Sequence, residues 1–194
     1  MRRILNLVCL GTFFFVASEV NAVSIGVGDF SGAETVVDLS FLPGPSEPVV
    51  TVGDLVFTSS ANFLKQSSLT EASLAGSFTM DLASPQLRVG LELTAFASAT
   101  QNVPVTWSIE ALDAGATSLE TILVSQAAAG DTVFGGIERP ELIAQLVVTE
   151  VTPHPSGGNY FTFINNVRYE VPEPTGMLLL VVGMCVPLLV RSHG

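Results

Sequence analysis

Cysteine is almost absent: the 194 residues hold two, Cys9 and Cys185, one near each end. At most one disulfide can form, which excludes a cysteine-stapled miniprotein and a zinc site built mainly on thiolates. Positive charge is scarce as well, with 7 Lys and Arg against 18 Asp and Glu and a net charge of −11. Binding nucleic acid means neutralising phosphates with clustered Lys and Arg, so no nucleic-acid partner is expected. Charged residues make up 13% of the chain against a usual ~25%. At 48% hydrophobic, the chain is no disordered tail. Histidine occurs twice, at His154 and His193, and Gly-x-Ser-x-Gly and phosphate-binding Gly-rich loops are missing altogether. No segment between the two ends shows a sustained 3.6-residue apolar period, although Ser60 to Leu74 could hold a helical turn.

What is present is unevenly spread. Residues 1–22 begin with Arg2 and Arg3, run through apolar residues from Leu7 to Ala17, and close on Val20-Asn21-Ala22. A basic start, a short apolar stretch and small residues at the −3 and −1 positions make a secretory signal, a helix cleaved after Ala22 by signal peptidase. At the other end, residues 176–190 are fifteen uncharged residues followed by Arg191. At 1.5 Å per residue such a helix reaches about 22 Å, a short span of a ~30 Å hydrocarbon core. Once the N-terminus is exported, Arg191 flanks the anchor on the cytoplasmic side. Just ahead stands Val171-Pro172-Glu173-Pro174, whose prolines hold the chain extended and keep it out of both the domain and the anchor.

In this order, a signal peptide, Pro172-Glu173-Pro174, a short apolar helix and a basic end, the chain resembles the PEP-CTERM family of exported bacterial proteins over residues 171–194. The resemblance implies that an exosortase-type membrane peptidase recognises the motif. It implies further that the peptidase removes the tail and passes the domain from the inner membrane to the cell surface or an exopolysaccharide matrix. Members of that family end in several arginines; here Arg191 stands alone, and a plain membrane anchor is the competing reading.

Between the ends, residues 23–174 carry 17 acids and 4 bases, so 4 − 17 = −13, and no cysteine. Apolar residues alternate with period two: Phe78, Met80, Leu82; Val89, Leu91, Leu93, Ala95; Val105, Trp107, Ile109, Ala111. Further runs are 49–57, 117–125, 143–151 and 160–171. Turn-forming groups separate them at Ala83-Ser84-Pro85, Asp113-Ala114-Gly115, Gly135-Gly136 and 155–158. About eight short strands predict an all-β, antiparallel β-sandwich of jelly-roll type over 23–170, flanked by the signal helix and the short transmembrane helix. The stretch from Trp107 to Thr117 looks like the strand, Asp/Gly turn, strand unit of galactose-binding-like jelly rolls. Phe161 to Arg168 looks like their last strand, with Asn165 where an aspartate is common.

Chemistry is thin. His154 lies between two prolines with no nucleophile elbow to serve, and zinc would find one histidine and scattered carboxylates. Carboxylate pairs such as Asp29 with Glu34 or Glu138 with Glu141 could act on a glycoside, but among so many acids pairs arise by chance. Calcium could take oxygens from loops at Asp29, Asp113 or Asn165-Asn166. Trp107 shares its alternation with Val105 and Ile109 and belongs to the core, which leaves Tyr160, Asp113 and Asn165 as the ligand-contact candidates. Three readings follow: a non-enzymatic surface or matrix protein, a carbohydrate-binding module that uses loop oxygens, calcium and Tyr160, and a surface hydrolase, which the residue inventory disfavours.

Overall fold

The computed structural model describes residues 23–40, 42, 44–65, 69–71, 77–97, 104–152 and 160–170. The signal segment, the 155–158 turn, and everything from Val171 onward, including the sorting motif, residues 176–190 and Arg191, lie outside them. Ten strands carry the fold: β1 (Val23–Ile25), β2 (Thr35–Asp38), β3 (Glu47–Val52), β4 (Leu55–Lys65), β5 (Leu69–Glu71), β6 (Ser77–Ala97), β7 (Thr106–Leu112), β8 (Ser118–Ser125), β9 (Thr132–Glu150) and β10 (Tyr160–Glu170). A 3-10 turn at Val27–Asp29 is the one helical element among the described residues, and none of these residues forms a helix able to cross a membrane.

All pairings are antiparallel, and the two long strands organise them. The first half of β6 pairs with β4 and with the second half of β9 (Ser77↔Thr149 to Asp81↔Gln145). The second half of β6 pairs with the first half of β9 and with β10 (Val89↔Ile137, Val89↔Tyr169). Between the halves the register slips, from Asp81 to Gln86 and again to Arg88. Pro85 and Pro140 sit in this slipped stretch, where a residue without an N–H breaks no ladder. Each long strand thus turns a corner and contributes to two layers. One layer runs β3-β4-β6-β9-β7-β8, and the other runs β1-β9-β6-β10-β2. Short β5 joins β10 to β4 and closes one side of the antiparallel sandwich.

The predicted alternation carries the core. Met80, Val89, Leu91, Leu93, Ala95, Val105, Trp107, Ile109 and Ala111 are wholly buried, and Phe78 and Leu82 nearly so. Phe63 stands edge-on between Phe57 and Phe78, with ring centroids 6.3 and 6.1 Å away. The layers meet at Trp107 on β7, whose Nε1–H donates to Thr162 Oγ1 of β10 at 3.1 Å. That bond satisfies the polar tip of the largest buried side chain. Gln126, buried beyond the end of β8, acts as a piece of strand: Ala95 N–H donates to its Oε1 at 2.9 Å, and its Nε2 donates to Ala95 O at 3.2 Å.

Four local expectations are corrected. Ala83-Ser84-Pro85 is the corner inside β6, a continuous strand, because the ladder to β9 resumes beyond it. Gly135-Gly136 lies within β9; a Cβ there would fall 2.5 Å from Ile109 Cδ1 or 2.8 Å from Ile25 Cγ1, so these glycines make room for packing and do not turn the chain. The run 49–57 is two strands, divided at Gly53, whose φ of +58° suits glycine. The described part of Ser60 to Leu74 is strand, paired with β3 and β5. The Asp113-Ala114-Gly115 turn stands as expected and joins β7 to β8.

Candidate functional site

Since Val89, Leu91, Leu93 and Ala95 point inward, Arg88, Glu92, Thr94 and Phe96 face outward on the second layer, and β9 and β10 add neighbours in register. Glu138 and Glu170 stand opposite Arg88, Phe134 opposite Glu92, Thr132 and Phe163 opposite Thr94, and Phe161 opposite Phe96. The face has a charged end, a hydrogen-bonded middle and an aromatic end.

At the charged end Arg88 bridges Glu138 at 2.8 Å and Glu170 at 3.1 Å, and it also donates to the Asp29 carbonyl. Hydrogen bonding to Glu138 holds the Arg88 guanidinium above its ordinary value. Burial pushes the Glu170 carboxyl up, but hydrogen bonds from the Ser31 hydroxyl and from the Ser31 N–H, the latter at 2.6 Å, together with Arg88 outweigh it and hold the group below its usual range. Arg168 adds a second bridge, to Glu34 at 3.1 Å, with Glu92 at 3.9 Å. In the middle Asn166 donates to Glu92, Asn165 Nδ2 donates to Thr94 Oγ1 at 3.1 Å, and Thr94 and Thr132 hydroxyls are 2.8 Å apart. Asn165 and Asn166 both reach this face because β10 shifts register between Ile164 and Val167. At the aromatic end Phe96 and Phe163 meet edge-to-face with centroids 5.2 Å apart, and Phe96 keeps 46% of its surface exposed. Thr94 is itself buried and braces the strip from beneath, so it is exposed Phe96 with partly exposed Phe163, Asn165 and Glu92 and exposed Thr132 that can take a ligand apolar on one side and hydroxyl-rich at its rim.

The candidates read from sequence fall in different places. Asn165 belongs to this face. Tyr160 opens β10 opposite Ala97, near the aromatic end in register. Asp113 is elsewhere, in the β7–β8 turn, where its Oδ1 accepts from the N–H groups of Gly115 and Thr117 at 2.8 Å each. Val20, Ala22 and residues 171–174 are not among the described residues. The carboxylates weighed as acid and base are engaged by the chain itself: Glu138 by Arg88, Glu141 by Arg139, Glu34 by Arg168, and Asp29 Oδ2 by the Gly26 N–H. Among the described residues no group of three or more His, Cys, Asp or Glu is gathered as for a metal ion. Phe96, Thr94 and Glu92 were not singled out from the sequence, yet strand parity from Val89 to Ala95 was the signal that places them.

No family model matches this chain, and no curated protein matches its sequence. Among solved structures it is similar to a variant of the family 29 carbohydrate-binding module CBM29-2, at 9% identity and a TM-score of 0.38, covering 71% of this chain and 91% of that one. A CBM29-2 variant complexed with mannohexaose gives 11% identity and a TM-score of 0.36 over 70% and 89% of the two chains. The carbohydrate-binding module CBM36 in complex with calcium and xylotriose gives 8% and 0.33 over 70% and 99%.

Proposed function

We propose that this chain is an exported, non-catalytic surface or matrix protein whose jelly-roll-like sandwich binds carbohydrate through the outer face of β6, β9 and β10. The observation that carries this reading is Phe96, 46% exposed and packed edge-to-face on the partly buried Phe163, at the end of the hydrogen-bonded strip of Asn165, Thr94, Thr132 and Glu92. A pyranose ring offers an apolar C–H face to an aromatic side chain and hydroxyls to amides and carboxylates at its edge. With −13 charges over residues 23–174, the domain favours neutral polymers, because anionic ones are repelled at low salt. Loop oxygens leave calcium as an auxiliary of binding.

Sorting rests on the sequence alone. Signal peptidase would free the N-terminus after Ala22. The exosortase-type peptidase would then read Pro172-Glu173-Pro174 and release the domain to the surface.

A glycan array probed with the full chain, with and without a calcium chelator, tests the binding reading. Phe96→Ala and Phe163→Ala should each weaken capture of a neutral glycan by at least about tenfold. Capture that neither substitution alters would place binding elsewhere, and no capture at all would leave matrix display without glycan binding. For sorting, Pro172→Ala with Pro174→Ala should accumulate an unprocessed membrane species; normal processing of that variant would refute the motif's role.

A further inference from the structure

Away from the Phe96–Phe163 face, a cavity of about 190 Å³ opens where β6 turns its corner. Its walls come from four places: Thr35 of β2, Asp54 of the turn before β4, Leu82, Ser84 and Gln86 of the corner, and Tyr169 of β10. The turn is tied to the corner by Ala83 N–H donating to Asp54 O at 2.9 Å. Gln86 is 2% exposed, and its Nε2 donates to the Ser84 carbonyl at 2.7 Å. A carbonyl accepts only from the NH₂ end, so this bond fixes which way the amide points. Its Oε1 is buried with no hydrogen-bond partner among the described residues. Buried acceptors are rarely left in that state. Gln86 lines the cavity and the terminal torsion of glutamine is soft, so a donor bound there is the partner that Oε1 can turn to meet.

The remaining groups narrow the occupant. Asp54, exposed at the rim, accepts hydrogen bonds, and so does Gln86 Oε1. Tyr169 and Thr35 hydroxyls both give and receive and are hydrogen-bonded to each other, while burial and the Asp54 charge keep the Tyr169 phenol protonated, above its ordinary value. Leu82 supplies an apolar wall. An anion is refused by Asp54. A hydroxyl satisfies acceptors and donors alike. An apolar cavity of roughly 150 Å³ is enough to take up a benzene ring, so about 190 Å³ admits one six-membered ring. We propose that this corner cavity is a second binding site that takes one neutral, hydroxyl-bearing six-membered ring, either a free sugar or the end of a chain. The site shares no residue with the Phe96–Phe163 face, so the two readings fail separately.

Saturation-transfer NMR on the full chain in detergent, with glucose, galactose, mannose, xylose and N-acetylglucosamine at about 1 mM each, tests the proposal. At least one sugar should receive magnetisation. Gln86→Met and Tyr169→Phe should each weaken its binding about tenfold, and the rim variant Asp54→Asn, which cannot disturb the core, several-fold. Phe96→Ala should leave it unchanged. A disaccharide ending in the bound sugar binds as well if the site takes chain ends and does not if it takes free sugar. Absence of transfer from all five sugars, binding that survives Gln86→Met and Asp54→Asn, or displacement by ethylenediamine in place of sugars would overturn it.

Discussion

Gly90 of β6 packs closely on Phe134 and Gly136 of β9, and Gly90→Ala tests the register that builds the proposed face. A Cβ at position 90 would fall 2.3 Å from Phe134 Cζ and 3.0 Å from Gly136 Cα. Ordinary contact begins near 3.4 Å, so the ring must retreat by 3.4 − 2.3, about 1.1 Å. The ring is held by Phe30, edge-on at 5.9 Å and 83°, and the Gly136 backbone cannot move without β9. Losing the aromatic pair costs about 0.5–1.5 kcal/mol, and overpacking adds ~1–3 kcal/mol. The expected total is therefore about 1.5–4.5 kcal/mol. Urea unfolding of wild type, Gly90→Ala, Phe134→Ala and the double variant measures it, with slopes compared to confirm one transition. Since the two closest contacts are with the ring and only the 3.0 Å approach to Gly136 Cα outlasts it, the same Gly90→Ala change should cost at least about 1 kcal/mol less when Phe134 is already alanine. A Gly90→Ala protein within about 0.5 kcal/mol of wild type, or a cost that is the same in both backgrounds, would refute the packing of β6 against β9 described above.

Three further outcomes follow from single contacts. Trp107→Phe deletes the donor to Thr162 and leaves a void in a site with no exposure; unfolding should cost about 2–4 kcal/mol, and near-UV circular dichroism should report a loosened core. Gln126→Leu strips the buried Ala95 N–H of its acceptor, and an expected loss of about 1–3 kcal/mol should come with faster amide exchange at Ala95. The depressed Glu170 carboxyl contributes stability that is present above the unfolded glutamate value of about 4.3 and is lost as pH falls through the lower folded value. Ser31→Ala, which removes the hydroxyl bond and keeps the backbone N–H, and Arg88→Met, which removes the charge, should therefore each flatten the acid side of a Tm-against-pH curve, and a curve that stays steep in both would refute the assignment.

Period-two alternation revealed the fold because both layers are half-buried, so every inward residue from Val89 to Ala95 and from Val105 to Ala111 announces itself by hydrophobicity. The corners were hidden by the same logic. Pro85 and the Gly135-Gly136 pair have turn chemistry when read locally, and only tertiary pairing decides that β6 and β9 pass through them as continuous strands. A glycine that turns the chain and a glycine that vacates space for Ile109 or Phe134 are written with the same letter. Gly53, at φ +58°, is the first kind, and Gly90 and Gly136 are the second.

The candidate face was legible only in part, for a reason that lies in β10. Alternation along Phe161, Phe163 and onward would place Asn165 outward and Asn166 inward, toward the core. The register shift between Ile164 and Val167 inserts an extra residue, returns Val167 and Tyr169 to the interior, and puts both asparagines where they reach Thr94 and Glu92. Without that shift Arg168 and Glu170 would exchange faces with Val167 and Tyr169, burying charge and exposing the aromatic that walls the corner cavity. One irregularity thus serves both sites: it aligns the polar strip beside Phe96 and Phe163, and it turns Tyr169 inward toward Gln86. Deleting Asn166 should therefore abolish folding or both of the proposed sugar-binding activities together, whereas substituting it with Ser, which preserves the bulge, should weaken only the proposed face.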